Sequence, residues 1–98
     1  MLAVGKAATQ MAAAILDRLP ENVEGLIVTR QGYVQPGFAP ENLQIVEASH
    51  PVPDSIGADA AQSALQAAES LGEDDLLLVL MSGGASALLP APADGISL

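Results

Sequence analysis

Leu76-Leu77-Leu78-Val79-Leu80-Met81 runs directly into Ser82-Gly83-Gly84-Ala85-Ser86. The first half is a short apolar run of the kind that forms a buried strand. The second half is a small, glycine-rich turn with two hydroxyls. With no large side chains in the way, successive backbone N–H groups of such a turn can face one concavity, which suits an anion such as phosphate. A plain strand-ending turn has the same composition, so the rest of the chain has to decide between the two.

Working back from this stretch, apolar runs alternate with helical periodicity. Met1 to Val4 reads as a strand that ends at Gly5. Ala7 to Leu19 reads as a helix, with Ala8, Met11, Ala12, Ile15 and Leu19 on one apolar stripe, Arg18 in the last turn and Pro20 as the stop. Gly25 to Thr29 is a second strand, and residues 30–40, with Gly32, Pro36, Gly37 and Pro40, form a loop in which Tyr33 and Phe38 pack locally. Leu43 to Glu47 is a third strand, expected near a sheet edge, followed by a loop held extended by Pro51 and Pro53. Asp54 or Ser55 caps the next helix, whose expected stripe is Ile56, Ala60, Ala64 with Leu65, Ala68 and Leu71. Gly57 weakens its first turn by about 1 kcal/mol relative to alanine. Gly72 fits the left-handed position after a helix end, and Glu73-Asp74-Asp75 is a solvated connector. Leu76 to Met81 is the fourth strand, and the residues after Ser86, with Pro90, Pro92 and Gly95, read as a loop.

The resulting order, β-α-β-β-α-β, fits an α/β layer with a mostly parallel sheet, and it also fits a ferredoxin-like split βαβ. Continuous apolar strands, without clean alternation, favour a sheet covered on both faces and hence the first architecture.

Composition narrows the function classes. Twelve acidic residues against three basic ones give a formal charge of −9, which argues against nucleic acid and anionic membranes as partners. There is no cysteine, which removes disulfides and Cys-based metal sites. No apolar run approaches the roughly 20 residues of a membrane span, and no basic segment precedes an apolar one at the N-terminus, so a cytoplasmic protein is the expectation. Half of the residues are hydrophobic, yet Tyr33 and Phe38 are the only aromatics. The core is therefore aliphatic and alanine-rich, burying little area per residue, and the domain is expected to lean on a further partner.

In parallel α/β sheets ligands bind at the carboxyl ends of the strands. Gly5-Lys6, Thr29-Arg30, Ser49-His50 and Ser82 to Ser86 all fall there. Two of the three basic residues and the sole histidine thus gather on an acidic background, which points to an anion site. Lys6 stands at a helix N-terminus, where the dipole disfavours a cation unless an anion is bound; a surface lysine bending into solvent is the plainer alternative. Arg30 could clamp a carboxylate or phosphate in bidentate fashion, or sit as a surface arginine. His50, before Pro51-Val52-Pro53-Asp54, could orient substrate or move a proton, or hold its loop by hydrogen bonds. Asp54 is most simply a cap. The acidic run at 73–75 is not spaced as a metal site, and no residue is assigned to a metal.

Taken in order, Gly5-Lys6-Ala7-Ala8, Gly25-Leu26-Ile27-Val28-Thr29-Arg30-Gln31-Gly32, Glu47-Ala48-Ser49-His50-Pro51-Val52-Pro53-Asp54 and Ser82-Gly83-Gly84-Ala85-Ser86-Ala87-Leu88-Leu89 resemble the N-terminal domain of the class II glycerate kinases. Members of that family often carry the name hydroxypyruvate reductase. The resemblance spans nearly the whole chain. It implies a Rossmann-like three-layer sandwich, incomplete here as part of a larger N-terminal domain, in a two-domain enzyme with its active site in the cleft. It implies phosphoryl transfer from ATP to D-glycerate with Mg²⁺, Lys6 as the active-site lysine, Ser82, Gly83, Gly84, Ala85 and Ser86 as the phosphate loop, and Arg30 and His50 lining the substrate side. Residues 1–98 would be a fragment, inactive alone, lacking the C-terminal domain; a homodimer is allowed.

Three points depart from the resemblance or compete with it. Ala85 stands where the family usually has a third glycine, which puts the loop's ligand role in question. A nicotinamide-dependent reductase would need a dinucleotide fingerprint, and no G-x-G-x-x-G occurs here. A non-catalytic α/β fragment or interaction module is the remaining alternative.

Overall fold

The computed structural model describes residues 1–20, 22–96 and 98. In chain order the elements are β1 (Leu2–Val4), α1 (Ala8–Leu16), β2 (Gly25–Arg30), β3 (Leu43–Ala48), α2 (Ser55–Glu69), β4 (Val79–Met81) and α3 (Ala85–Leu88). The strands form one sheet in the order β3-β2-β1-β4, and every pairing is parallel. Parallel pairing excludes the ferredoxin-like alternative, whose sheet is antiparallel. The β1 register sets Leu2 beside Leu26 and Val79, and Val4 beside Val28 and Met81.

Successive residues of a strand face opposite sides of the sheet, so a continuous apolar run supplies two cores at once. Ala3 and Ile27, with Leu43, bury against Ala8 and Ala12 of α1. Val4, Leu26 and Val28, with Ala48, bury against Ala60 of α2 and Leu88 of α3. The result is three layers, with α1 on one face of the sheet and α2 and α3 on the other. Alanine at each helix contact allows close approach, as the composition suggested. No helix among the described residues is long and apolar enough to cross a membrane.

Several sequence expectations are corrected. The fourth strand is shorter than its apolar run: only Val79–Met81 pairs, and Leu76 is 86% exposed. Helix α1 ends at Leu16, three residues before the expected Leu19. On α2, Ala60 is buried and Ala64 packs against the core as expected, but Gly57 and Ala61 are buried too, while Ile56, Leu65 and Leu71 are exposed. The buried face is thus rotated toward the small residues, because α3 approaches there. A Cβ on Gly57 would lie 2.7 Å from the Leu88 carbonyl oxygen, so this glycine marks a close contact between α2 and α3. Gly72 does not adopt a left-handed conformation; α2 closes at Ser70, and the Gly72 N–H donates to the Asp75 carboxylate at 2.8 Å. Phe38 packs into the α1-side core and not only within its own loop. The segment after the glycine turn, expected as loop, opens with the single turn of α3. Asp54 caps α2 as expected, accepting from the Gly57 N–H at 2.9 Å.

Candidate functional site

At the carboxyl end of the sheet, the turns after β1 and β4 are laced together. The Ser82 N–H donates to the Val4 carbonyl, the Lys6 N–H to the Gly83 carbonyl, and the Ala7 N–H to the Ser82 hydroxyl oxygen, each at 3.0 Å. Gly5 makes this contact sterically possible. It has φ +124°, and a Cβ there would lie within 2.8 Å of the Ser82 carbonyl group. From the β2 side, the buried Thr29 hydroxyl donates to the Gly5 carbonyl at 2.9 Å, and the Gly5 N–H donates to Val28 at 3.0 Å. A hydrogen-bonded frame around Gly5 therefore sets where Lys6 and the glycine turn stand.

Lys6 follows β1 directly and is half-buried. Arg30, the last residue of β2, is half-buried as well; its guanidinium lies over the Tyr33 ring, 5.2 Å from the centroid, and its Nη1 is 3.4 Å from the Tyr33 hydroxyl. A cation held against an aromatic face keeps its charge while losing some of its conformational freedom. Tyr33 in turn is held through its loop. Thr9 of α1 accepts from the Gln35 N–H at 3.0 Å, and its hydroxyl is 3.3 Å from the Tyr33 carbonyl. The Gly32 N–H donates to the Glu47 carboxylate at 2.9 Å.

His50 follows β3 and meets the glycine turn. Its Cδ2–Nε2 edge lies against Gly84, where a Cβ would be 2.7 Å and 2.8 Å from those two atoms. Gly84 has φ +87°, a conformation that side-chain-bearing residues rarely adopt, so both its backbone and its lack of a side chain serve this contact. Nδ1 of His50 is buried without a hydrogen-bond partner. Burial, then the charges of Lys6 and of Arg30, lower the His50 pKa below its ordinary value. Two cations from separate strand ends thus act on one imidazole, which rests on the glycine turn.

The structure therefore brings Lys6, Arg30, His50 and Gly84 to the carboxyl ends of four different strands. Gly83 and Ser86 are exposed beside them. No backbone hydrogen bond among the described residues engages the N–H of Gly83 or Gly84. Ser82 is turned inward, its hydroxyl oxygen accepting from Ala7. Ala85 opens α3 in helical conformation, and among the described residues none other than glycine has positive φ. The methyl where the glycerate kinases usually carry a third glycine thus meets no backbone penalty, and it packs at the edge of the α2-side core. Sequence reasoning did not single out Thr9, placed Thr29 at a strand end without its hydrogen-bond role, and read Tyr33 only as packing its own loop. A threonine in a strand end or a helix start has no pattern that marks it; only the pairing of β1 with β2 and the return of the 31–40 loop give these hydroxyls their partners. Among the described residues, no three of histidine, aspartate and glutamate converge as a metal-ligand set.

Comparison with known proteins agrees with the fold. The family model described as "Domain of unknown function (DUF4147)" matches residues 1–98. A protein of Agrobacterium vitis with the provisional name hydroxypyruvate reductase is 44% identical over all of this chain and 25% of its own length. Glycerate 2-kinase of Pyrococcus horikoshii is 41% identical over all of this chain and 21% of its own. The crystal structure of glycerate kinase from Thermotoga maritima superposes with a TM-score of 0.87 at 37% identity, covering 98% of this chain and 23% of that one. The chain thus spans a quarter or less of the length of these relatives.

Proposed function

The chain belongs to the DUF4147 family, and from that premise we propose that the protein carrying it is an ATP-dependent glycerate kinase, to which residues 1–98 contribute an oxyanion half-site. The observation that carries this reading is the gathering of Lys6, Arg30, His50 and the Gly83–Gly84 turn at the carboxyl end of a parallel sheet, with the Lys6 N–H bonded to the Gly83 carbonyl and the His50 ring against Gly84. The glycerate kinase names of relatives at 37–41% identity support the choice of reaction.

Phosphoryl transfer asks mainly for positioning and charge stabilisation. In this reading the acceptor hydroxyl of D-glycerate forms a new P–O bond with the γ-phosphorus of ATP, the bond to ADP breaks, and the hydroxyl proton is released. Lys6 holds an oxygen of the transferring phosphoryl group, with the Gly83 and Gly84 N–H groups as further donors. Arg30, held over Tyr33, and His50 face the substrate side. The carboxylates of this chain offer no assembled Mg²⁺ site among the described residues, and no step here is routed through a metal. A second domain would complete the charge set and exclude water.

The test is ADP release by the full protein with ATP and D-glycerate, beside a Lys6→Ala variant. Glycerate-dependent turnover that falls by at least about a hundredfold in the variant supports the proposal. Absence of glycerate-dependent turnover in the unmodified protein overturns it. The Agrobacterium vitis name favours a second reading, reduction of hydroxypyruvate; NADH oxidation dependent on hydroxypyruvate would select it.

A further inference from the structure

We propose that His50 serves this site as a neutral hydrogen-bond donor, offering its Nε2–H to an oxyanion oxygen bound beside the Gly83–Gly84 turn, and not as a cation or a general base. The inference rests on the reading of the site as an oxyanion site and adds the atom and the protonation state through which His50 acts.

The two ring nitrogens have different surroundings. Nδ1 is buried and has no partner. A proton on it would be an orphaned buried donor, a rarer and costlier defect than an unpaired acceptor lone pair. A neutral imidazole carries one proton, and the hydrogen bonding around one nitrogen decides which atom holds it. The proton therefore belongs on Nε2. Nε2 makes no hydrogen bond among the described residues and, unlike Nδ1, is not a buried unpartnered atom. It lies along the ring edge that rests on Gly84, where a Cβ would collide with the ring.

Charge argues the same way. An imidazolium would need protons on both nitrogens, and Lys6 and Arg30 oppose it. The neighbouring carboxylates are engaged elsewhere: Asp54, on the same loop, accepts from the Gly57 N–H, and Glu47, at the end of β3, accepts from the Gly32 N–H. With Nε2 already protonated and Nδ1 shut away from solvent, the ring has no accessible lone pair with which to take a substrate proton. In this site His50 acts as a neutral donor beside Lys6 and Arg30.

Nitrogen-15 histidine spectra of the full protein read the tautomer directly, without reference to turnover. The expected result is the neutral Nε2–H form at neutral pH, with inorganic phosphate moving the Nε2–H resonance. A proton on Nδ1, an imidazolium at neutral pH, or no response to phosphate overturns the proposal. Two variants test the same point by binding: the amide of His50→Gln reaches the Nε2 position, whereas that of His50→Asn reaches only the Nδ1 position. His50→Gln is expected to keep most of the phosphate affinity and His50→Asn to lose about tenfold. Equal loss in both overturns it. If His50→Asn does not fold, the spectrum of the unmodified protein decides. If glycerate is not phosphorylated while the tautomer and the phosphate response hold, the kinase reading fails and this inference stands.

Discussion

The buried Thr29 hydroxyl donates to the carbonyl of Gly5 at 2.9 Å, tying the end of β2 to the turn that carries Lys6. One hydrogen bond between neighbouring parallel strands thereby sets the position of a candidate catalytic side chain. The bond is fully enclosed, since Thr29 has no solvent exposure; its loss would leave the Gly5 carbonyl with only the Ala8 N–H, at 3.2 Å, as a donor.

Thr29→Val keeps the shape and β-branching of the side chain and removes only the hydroxyl. Stability should fall by about 1 kcal/mol, near the net value of a buried neutral hydrogen bond. Turnover should fall further than the folded fraction explains, because Gly5 is the residue that orients Lys6. Urea unfolding together with kcat measured on folded protein checks both parts.

Gly57→Ala sets two effects of opposite sign against each other. Helix propensity alone favours alanine in α2 by about 1 kcal/mol. The new methyl would stand 2.7 Å from the Leu88 carbonyl oxygen, a backbone atom of a buried residue that cannot rotate away. Overpacking of this kind costs about 1–3 kcal/mol, so net destabilisation is expected. A lower urea midpoint with an unchanged slope confirms it; a raised midpoint would show that α3 yields without cost.

The pH dependence of folding should contain a His50 component. Burial, then Lys6 and Arg30, lower its pKa in the folded state below the ordinary 6.5. Between the lowered value and 6.5 the unfolded chain binds more protons than the folded one, so stability rises with pH across that window and is lost as pH falls through it. His50→Gln removes the titration. The drop in urea midpoint between about pH 8 and about pH 5.5 should be smaller in the variant than in the parent protein.

Arg30 and Lys6 should separate kinetically. Arg30→Lys retains a positive charge but gives up the planar fork and the stacking on Tyr33. If Arg30 holds the substrate, KM for glycerate should rise about tenfold with a smaller change in kcat. Lys6→Ala should act mainly on kcat. Steady-state kinetics with each substrate varied in turn distinguishes the two patterns, and a uniform loss in both variants would argue for general disruption of the carboxyl-end loops.

Much of the architecture was legible in the chain itself. The apolar runs around Val4, Ile27 and Leu80 mark strands, Asp54 marks a helix start, and the crowding of Lys6, Arg30, His50 and Ser82–Ser86 just after strands marks one end of the sheet. These signals are local: a run length, a cap, a periodicity. Less legible was which face of α2 is buried. The expected stripe held at Ala60, but its large members Ile56, Leu65 and Leu71 stay exposed, and the close approach of the short α3 brings Gly57 and Ala61 inward beside it.

The sequence alone thus determined the α/β class, the order of its elements and the set of polar residues at the strand ends, because those follow from patterns within a few residues of one another. The tertiary structure decided that the sheet runs β3-β2-β1-β4, that Thr29 locks Gly5, that Ser82 turns inward to Ala7, and that the His50 ring rests on Gly84 with Nδ1 shut away. Each of these joins residues far apart in the chain, from 24 positions for Thr29 and Gly5 to 75 for Ala7 and Ser82. Contacts at such separations exist only once the strands have paired and the helices have packed, so no local pattern encodes them.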